Sequence, residues 1–438
     1  MNNTQSENKD RLSPQIEPSS EPILEINGLK KHFVQNDGFL DKLLNNHEVV
    51  HAVDGVDITL HRGETVAVVG ESGCGKTTFG HTVLNLHDAT EGSVMYDGVD
   101  LTELSDSQIR SYRQELQLIF QDPLASLNPR KTVGKTLKAA MSAHNIHGNS
   151  DERTKYAKEL LVRVGLSESH FDRYPHQFSG GQQQRIAIAR ALSLDPSIIV
   201  ADEPVSALDV SVQAQILNLI KDLQKEFDLS MLYISHDLST VKFLADRVAV
   251  MYLGKIVEMA PTDEIFEDPK HPYTKALISA VPRLTRDQNR SRIMLRGSVP
   301  SPISPPDGCR FHTRCPEVIP PADWLGSQEE YQDALTLALK IKNNTIDPDS
   351  TRITLEAENK SSTDDDVVER VLEEGLRDSY ESLEQSYVQL LREGVHAQIA
   401  NEDIAMIKQF LDTPCIKRVP SEIPVTDRQV ALCHLYDE

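Results

Sequence analysis

The chain has 438 residues, 39% hydrophobic and 26% charged, which gives room for two or three domains and a large core in an ordinary soluble composition. No apolar run approaches the roughly 18 residues needed to cross a bilayer, and MNNTQSENKDRLSPQIEPSSEP at the start has no signal-peptide core, so a cytosolic chain is expected. A net charge of −22 argues against a nucleic-acid partner and is compatible with a salt-adapted host.

Residues 1–21 read as a disordered leader. ILEINGL, VVHAVDGVDITL and ETVAVVG follow as strands, and the last runs into the loop GESGCGKTT, residues 70–78. From about 122 to 175 the pattern is helical, with TKYAKELLVRVGL its best amphipathic segment. HQFSGGQQQRIAIARAL, residues 176–192, is a polar turn leading into an alanine-rich helix, with Ser179 as its N-cap. SIIVADEP and SMLYISHD are continuous apolar runs that end in polar residues, as parallel strands covered on both faces do. SVQAQILNLIKDLQKEF between them is a helix, and RVAVMYLGKIVEMA is a hairpin with its turn at Gly254 and Lys255. This succession predicts a mostly parallel α/β core.

The texture changes after Pro261. VPSPISPPDG, residues 299–308, is a proline-rich linker. Residues 317–412 hold 22 acidic and 8 basic side chains, so −14 of the net charge lies there. Within this insertion Val367, Val371, Leu372, Leu376, Tyr380, Leu383, Tyr387, Leu390 and Leu391 recur at helical spacing, acids fill the first turn, and Gly394 can end the helix. It reads as a solvated amphipathic helix covering the domain or a neighbouring subunit, with a recognition helix for a regulator as the alternative.

Two stretches carry phosphate chemistry. Gly70, Glu71, Ser72, Gly73, Cys74, Gly75, Lys76 and Thr77 match the P-loop pattern between a predicted strand and helix. Glycines let backbone N–H groups converge on phosphates, Lys76 adds a positive charge, and the Thr77 hydroxyl can ligate Mg²⁺. Cys74 is a small loop residue rather than a catalyst. In SIIVADEP, Asp202 ends the strand where a carboxylate can reach the metal shell, and Glu203 can orient or deprotonate a water. The N–H groups at the start of the SGGQ helix form a second place for an anion. One chain thus carries two phosphate-binding elements about a hundred residues apart.

The P-loop, Gln121 in IFQDP, SGGQ, the acidic strand end, SALD and ISHD occur in this order, and together they resemble the ATP-binding subunit of an ABC transporter. The resemblance spans about residues 22–320 and resumes over about the last 25. QDPLASLNPR, RYPHQFSGGQQQR, HPYTKAL and GCRFHTRCP are similar to phrases of the dipeptide and oligopeptide importers. The segment between Phe33 and Val50 and the LNPR phrase look like the second, "F"-type ATPase of that group.

The resemblance implies an α/β fold: a P-loop NTPase (RecA-like) core with a parallel sheet, an antiparallel β subdomain and a helical subdomain at about 122–185. The ATPase domain would cover 22–270, and a C-terminal extension, 271–438, would carry the acidic helical insertion. It also implies a head-to-tail pair of ATPases with each ATP held between the P-loop of one and the SGGQ turn of the other. Ser179, Gly180, Gly181 and Gln182 would then bind the partner's nucleotide, and Asp209 would link the two sites. Phe33, or a residue near it, would stack on adenine. Lys76, Thr77 and Thr78 would bind phosphate, and Thr77, Gln121 and Asp202 the Mg²⁺. Gln121 would also couple to a transmembrane partner, Glu203 would act as base, and His236 would contact the γ-phosphate. Phe178 stands where leucine is commoner, a change expected to be harmless.

The partners implied are two transmembrane permeases, a second related ATPase (or another copy of this one) and an extracytoplasmic solute-binding protein. They place the chain as a peripheral subunit on the cytoplasmic face of the cell membrane. Dipeptides or oligopeptides lead as solute, with metal chelates and oligosaccharides as alternatives. A soluble ABC ATPase of translation or DNA repair fits less well, because neither a second cassette nor a long coiled coil is present.

Four of the five cysteines, Cys309, Cys315, Cys415 and Cys433, lie in the last third. In a reducing compartment such a group more often means a metal or redox cofactor than disulfides. Four thiolates suit a four-iron, four-sulfur cluster, which the resemblance implies for some relatives, or zinc; structural thiols are the third reading. The insertion of about 95 residues between the second and third cysteines departs from the family pattern, although loop closure costs little more for a long loop than for a short one.

Overall fold

A computed structural model describes residues 21–35, 48–281 and 292–319. Toward the C-terminus it adds 328, 331, 332, 335, 413–417, 420, 422–426, 429–433 and 435. The leader up to residue 20 and the helix expected across 362–394 lie outside the described residues.

Strands β1 (Pro22–Gln35) and β2 (Glu48–His61) form a long antiparallel pair in which Phe33 faces Val50 and His32 faces His51. Strand β3 (Thr65–Val69) leads into helix α1 (Lys76–Val83). Strands β4 (Glu91–Tyr96) and β5 (Val99–Asp100) complete a four-stranded antiparallel sheet in the order β2-β1-β4-β5. Helix α2 (Asp106–Glu115) and strand β6 (Leu116–Ile119) return the chain to the main sheet.

The helical segment comprises α3 (Pro123–Ser126), α4 (Val133–Ala143), α5 (Ser150–Arg163) and α6 (Gly180–Leu192). Local chemistry sets its breaks. The Asn149 side chain accepts from the N–H groups of Asp151 and Glu152, while Glu152 accepts from the Asn149 N–H, a reciprocal cap that starts α5. The chain then alternates through β7 (Ile198–Asp202), α7 (Val210–Phe227), β8 (Ser230–Ser235), α8 (Leu238–Leu244), β9 (Arg247–Tyr252) and β10 (Lys255–Pro261). Helices α9 (Thr262–Glu267), α10 (Pro272–Ser279) and α11 (Pro414–Lys417) and strands β11 (Glu422–Thr426) and β12 (Gln429–Leu432) follow.

The main sheet runs β11-β12-β10-β9-β3-β8-β7-β6. From β9 to β6 its pairs are parallel, and β3, β7 and β8 are buried at every position, which is why TVAVV, IIVAD and SMLYIS read as unbroken apolar runs. Because β3, β6, β7 and β8 are parallel, their carboxyl ends share one edge, the usual ligand side of such sheets. The predicted α/β architecture, with its antiparallel and helical parts, is the one observed.

The β9–β10 turn differs from expectation by one residue: it consists of Leu253 and Gly254, and Lys255 already belongs to β10. Both turn residues have positive φ, +43° and +78°, the geometry that a two-residue hairpin requires. Leucine there is strained, and tertiary bonds hold it: the Gly254 N–H donates to Cys74 O and the Asp54 N–H to Gly254 O, both at 2.9 Å.

The other edge of the sheet is antiparallel, with β12 pairing to β10 and β11 to β12. Glu258, buried at 1% exposure, ties this edge together by accepting from the N–H groups of Lys270 and His271 and from Gln429 Nε2. The His271 ring is also buried and caps α10, its Nδ1 accepting from the Tyr273 N–H at 3.1 Å. Burial, with a smaller push from Lys275, drives its pKa down to about 3.

That shift has a pH signature. The folded pKa is depressed below the ordinary value of 6.5, so the stabilisation is complete above pH 6.5 and is lost as pH falls toward 3. The loss is at most about 1.4 kcal/mol per pH unit. His271→Asn keeps a capping side chain, and the difference in unfolding free energy between wild type and variant is expected to narrow steadily from pH 7 to pH 4 in denaturant titrations.

Candidate active site

Strand β3 delivers the phosphate loop, and backbone contact sets its shape. Gly75 has φ +107°, and a Cβ there would stand 2.0 Å from Ala52 O on β2. A Cβ on Gly70 would stand 2.2 Å from Met251 O on β9. The loop is thus squeezed between two strands, and only bare backbone fits. Lys76 is buried, and its Nζ donates to Gly70 O at 2.9 Å and Glu71 O at 3.0 Å, across the cradle. Burial raises the Cys74 thiol above its ordinary pKa, so Cys74 stays protonated and inert.

Strand β7 supplies the acids. The Thr77 hydroxyl donates to Asp202 Oδ1 at 3.1 Å, joining the two residues expected at Mg²⁺. Asp202 is 3% exposed, and burial raises its pKa; the Thr77 bond opposes the rise and the neighbouring Glu203 adds to it. A buried carboxylate beside a hydroxyl is an oxygen donor set that suits a hard divalent cation.

Glu203 sits in the left-handed region at φ +44°, a strained position for a glutamate, with its N–H donating to Ile234 O at 2.9 Å. This backbone twist turns its side chain toward the loop. Gln121 Nε2, just past β6, donates to Glu203 Oε2 at 3.2 Å, and His236 Nδ1, just past β8, lies 3.0 Å from the same oxygen.

A cavity of about 820 Å³ is lined by Phe33, residues 70–78, Gln121, Glu203 and His236, among others. It therefore gathers the nucleotide residues expected from the sequence except Asp202, which is bonded to the lining Thr77, and two further sets. Lys31 Nζ stands 5.0 Å from the Phe33 ring centre, and His87 packs edge-on against the ring. The first set outside the cavity is Ser179–Gln182. Ser179 caps α6 as predicted, with its N–H donating to Gln182 Oε1 at 3.1 Å, and Ser179 and Gly180 are exposed. The second is Asp209, exposed at the N-cap of α7.

Three residues of the C-terminal part reach the site without having been singled out from the sequence. The Glu71 N–H donates to the Tyr273 hydroxyl at 2.8 Å, and Arg314 grips the Glu71 carboxylate with two bonds. Arg310 bonds Leu253 O and Asp54. HPYTKAL and GCRFHTRCP contain these residues, but nothing in either phrase indicates a contact some 200 positions earlier.

His32, His51 and Asp54 bring ligand-type atoms within 4.8 Å of one another. Asp54 already pairs with Arg310 and His32, and Lys255 adds positive field, so the group reads as a hydrogen-bonded strut rather than a cation site.

All five cysteines are free thiols. The Cys309 N–H donates to Cys415 O at 2.7 Å, joining the two ends of the insertion. Burial lifts the thiol pKa of Cys309 to about 12 and of Cys433 to about 11, and the neighbouring cysteines add to the rise. Among the described residues the only His/Cys/Asp/Glu group with three ligand atoms within 4.8 Å is the histidine–aspartate one, so the four sulfurs do not close on a single ion.

A phosphate loop, a buried acid at a strand end and a second acid aimed into the same cavity define a nucleoside-triphosphate hydrolase. Family models agree: "ABC transporter" matches residues 53–206, and "Oligopeptide/dipeptide transporter, C-terminal region" matches 257–320. The oligopeptide transport ATP-binding protein AppF of Bacillus subtilis is 51% identical over 306 residues, 69% of this chain and 92% of that protein. The dipeptide transport ATP-binding protein DppF of Escherichia coli is 48% identical over 317 residues, 72% and 93% of the two chains. The chain belongs to the ABC transporter ATP-binding subunits, in the oligopeptide/dipeptide branch, and is an ATPase that uses ATP and Mg²⁺.

The glycine cradle makes a direct prediction. Gly75→Ala forces a methyl group into Ala52 O, so ATP affinity measured by calorimetry is expected to fall at least about tenfold, the equivalent of about 1.4 kcal/mol. Unchanged affinity would show that the loop tolerates the displacement.

Proposed function

We propose that this chain is the ATP-hydrolysing subunit of an importer that takes up dipeptides or oligopeptides, with Glu203 as its catalytic base. The observation that carries the reading is the meeting of Gln121, Glu203 and His236 at one carboxylate oxygen beside the phosphate loop. The peptide specificity is supported by the relatives' names and by the match of residues 257–320.

The residues act as follows. Backbone N–H groups of residues 71–77 and the Lys76 ammonium receive the phosphates. Thr77, Asp202 and Gln121 would hold Mg²⁺, which when bound offsets phosphate charge and leaves Asp202 ionised. Glu203 takes a proton from the attacking water, and His236 and Gln121 fix the direction of its carboxylate. Phe33 offers an apolar ring to the base. Residues 22–270 serve as the ATPase domain and 271–438 as its extension.

Ser179–Gln182 and Asp209 act on a second ATPase subunit. The support is their position: they lie outside this chain's own cavity, at exposed helix starts whose N–H groups favour an anion. Nucleotide then bridges two subunits, and hydrolysis removes the bridge. Among the described residues no helix is long and apolar enough to cross a membrane; translocation is assigned to two permease subunits. The chain docks on their cytoplasmic face, and an extracytoplasmic binding protein delivers the peptide.

Cys309, Cys315, Cys415 and Cys433 are the ligands of an iron–sulfur cluster in this reading. Its support is a set of soft donors carried on both sides of the insertion, no three of which bring their sulfurs within 4.8 Å of one another, wider than the roughly 3.8 Å between sulfurs on one zinc ion at a Zn–S distance of ~2.3 Å. Protein purified without oxygen is expected to be brown, with about four iron atoms per chain. Metal analysis finding neither iron nor sulfide would end the idea.

The catalytic assignment is tested by Glu203→Gln. ATP turnover is expected to drop at least about a hundredfold with ATP binding retained, and cells carrying only this variant lose uptake of labelled peptide. Turnover at the wild-type rate would remove Glu203 as base, and retained peptide uptake would remove the importer assignment.

A further inference from the structure

The second residue of the phosphate loop, Glu71, is a puzzle for a site that binds a triphosphate: it places a carboxylate where anions must come. The structure shows how that charge is handled. Arg314 Nη1 donates to Glu71 Oε2 at 2.7 Å and Nη2 to Oε1 at 3.2 Å, a forked, charge-assisted pair. The Arg314 side chain is only 8% exposed, so solvent screens this pair weakly. Its guanidinium carbon lies 6.0 Å from the centre of the Tyr252 ring, and Tyr252 packs edge-on against Tyr273 and Phe311. Tyr273 in turn accepts the Glu71 N–H. Glu71 is therefore held at its amide and its carboxylate by two residues of the C-terminal region, while its carbonyl accepts from Lys76 Nζ.

We infer that Arg314 is a positioning residue for ATP: from the cysteine-bounded turn it holds and neutralises the Glu71 carboxylate, so that this charge does not oppose the triphosphate at the loop. Tyr273 fixes the same residue at its backbone N–H. The turn between Cys309 and Cys315 thereby acts on nucleotide affinity rather than only covering the domain. Without Arg314, an uncompensated carboxylate stands beside the phosphates.

The inference rests on residues 70–77 being the nucleotide loop, and Lys76→Ala tests that separately. Steady-state ATPase kinetics on the full-length chain separate the possibilities. Arg314→Ala is expected to raise KM for ATP about tenfold with kcat within about twofold, and Arg314→Lys, which keeps the charge but not the fork, to fall between it and wild type. The decisive variant is Arg314→Ala with Glu71→Gln, which removes both charges and is expected to recover most of the lost affinity. A scaffold role for Arg314 predicts no recovery, and a double variant as impaired as Arg314→Ala would overturn the inference, as would an unchanged KM in Arg314→Ala. If Arg314→Ala does not fold, the comparison moves to Arg314→Lys with and without Glu71→Gln, read the same way. Should Lys76→Ala leave KM unaltered, the loop assignment fails instead.

Discussion

The site depends on a loop that must wrap an anion with bare backbone. Gly70 and Gly75 are pinned from two sides, by Met251 O on one strand and Ala52 O on another. These contacts make the phosphate loop a product of the whole sheet rather than of its own eight residues. Strand β3 sits between β8 and β9, so whatever holds those strands also holds the cradle. The same packing presses the Leu253–Gly254 turn against Cys74 and explains why a leucine accepts a left-handed backbone there.

Parallel strands convert that local constraint into chemistry. Gln121, Glu203 and His236 are separated by tens of residues in sequence, yet each follows a strand whose carboxyl end lies on one edge. The strained backbone of Glu203 turns its carboxylate inward, and the two neighbours it meets there limit its freedom before any nucleotide arrives. In the proposed role of Glu203 as base, such preorganisation lowers the reorganisation needed when water is activated. The SGGQ turn lies outside this cavity with Ser179 and Gly180 exposed, as its proposed role at a second subunit's site requires.

The C-terminal region is joined to this machinery by buried polar contacts. Glu258 collects three donors at the sheet edge, His271 caps the helix that carries Tyr273, and Arg310 and Arg314 cross from the cysteine turn to β2 and the phosphate loop. Each of these charged or polar groups is buried at a cost unless its partners are present. The extension and the ATPase are therefore coupled energetically: loosening one leaves unsatisfied groups in the other.

Sequence alone determined the α/β class and seven of the twelve strands among the described residues, and it located the candidate nucleotide motifs, because those signals are local: a fixed loop spacing, unbroken apolar runs, an N-cap followed by a helix. It placed the hairpin turn one residue late, since a leucine with positive φ contradicts local preference and only tertiary bonds sustain it. It also could not single out Tyr273, Arg310 or Arg314 as parts of the site. Their roles arise from contacts with residues some 200 or more positions earlier, and no local propensity encodes the partner of a long-range charge pair. Tertiary structure decided which side chains share the cavity, which stand outside it, and how the carboxylate of Glu71 comes to lie beside a phosphate site with its charge already met.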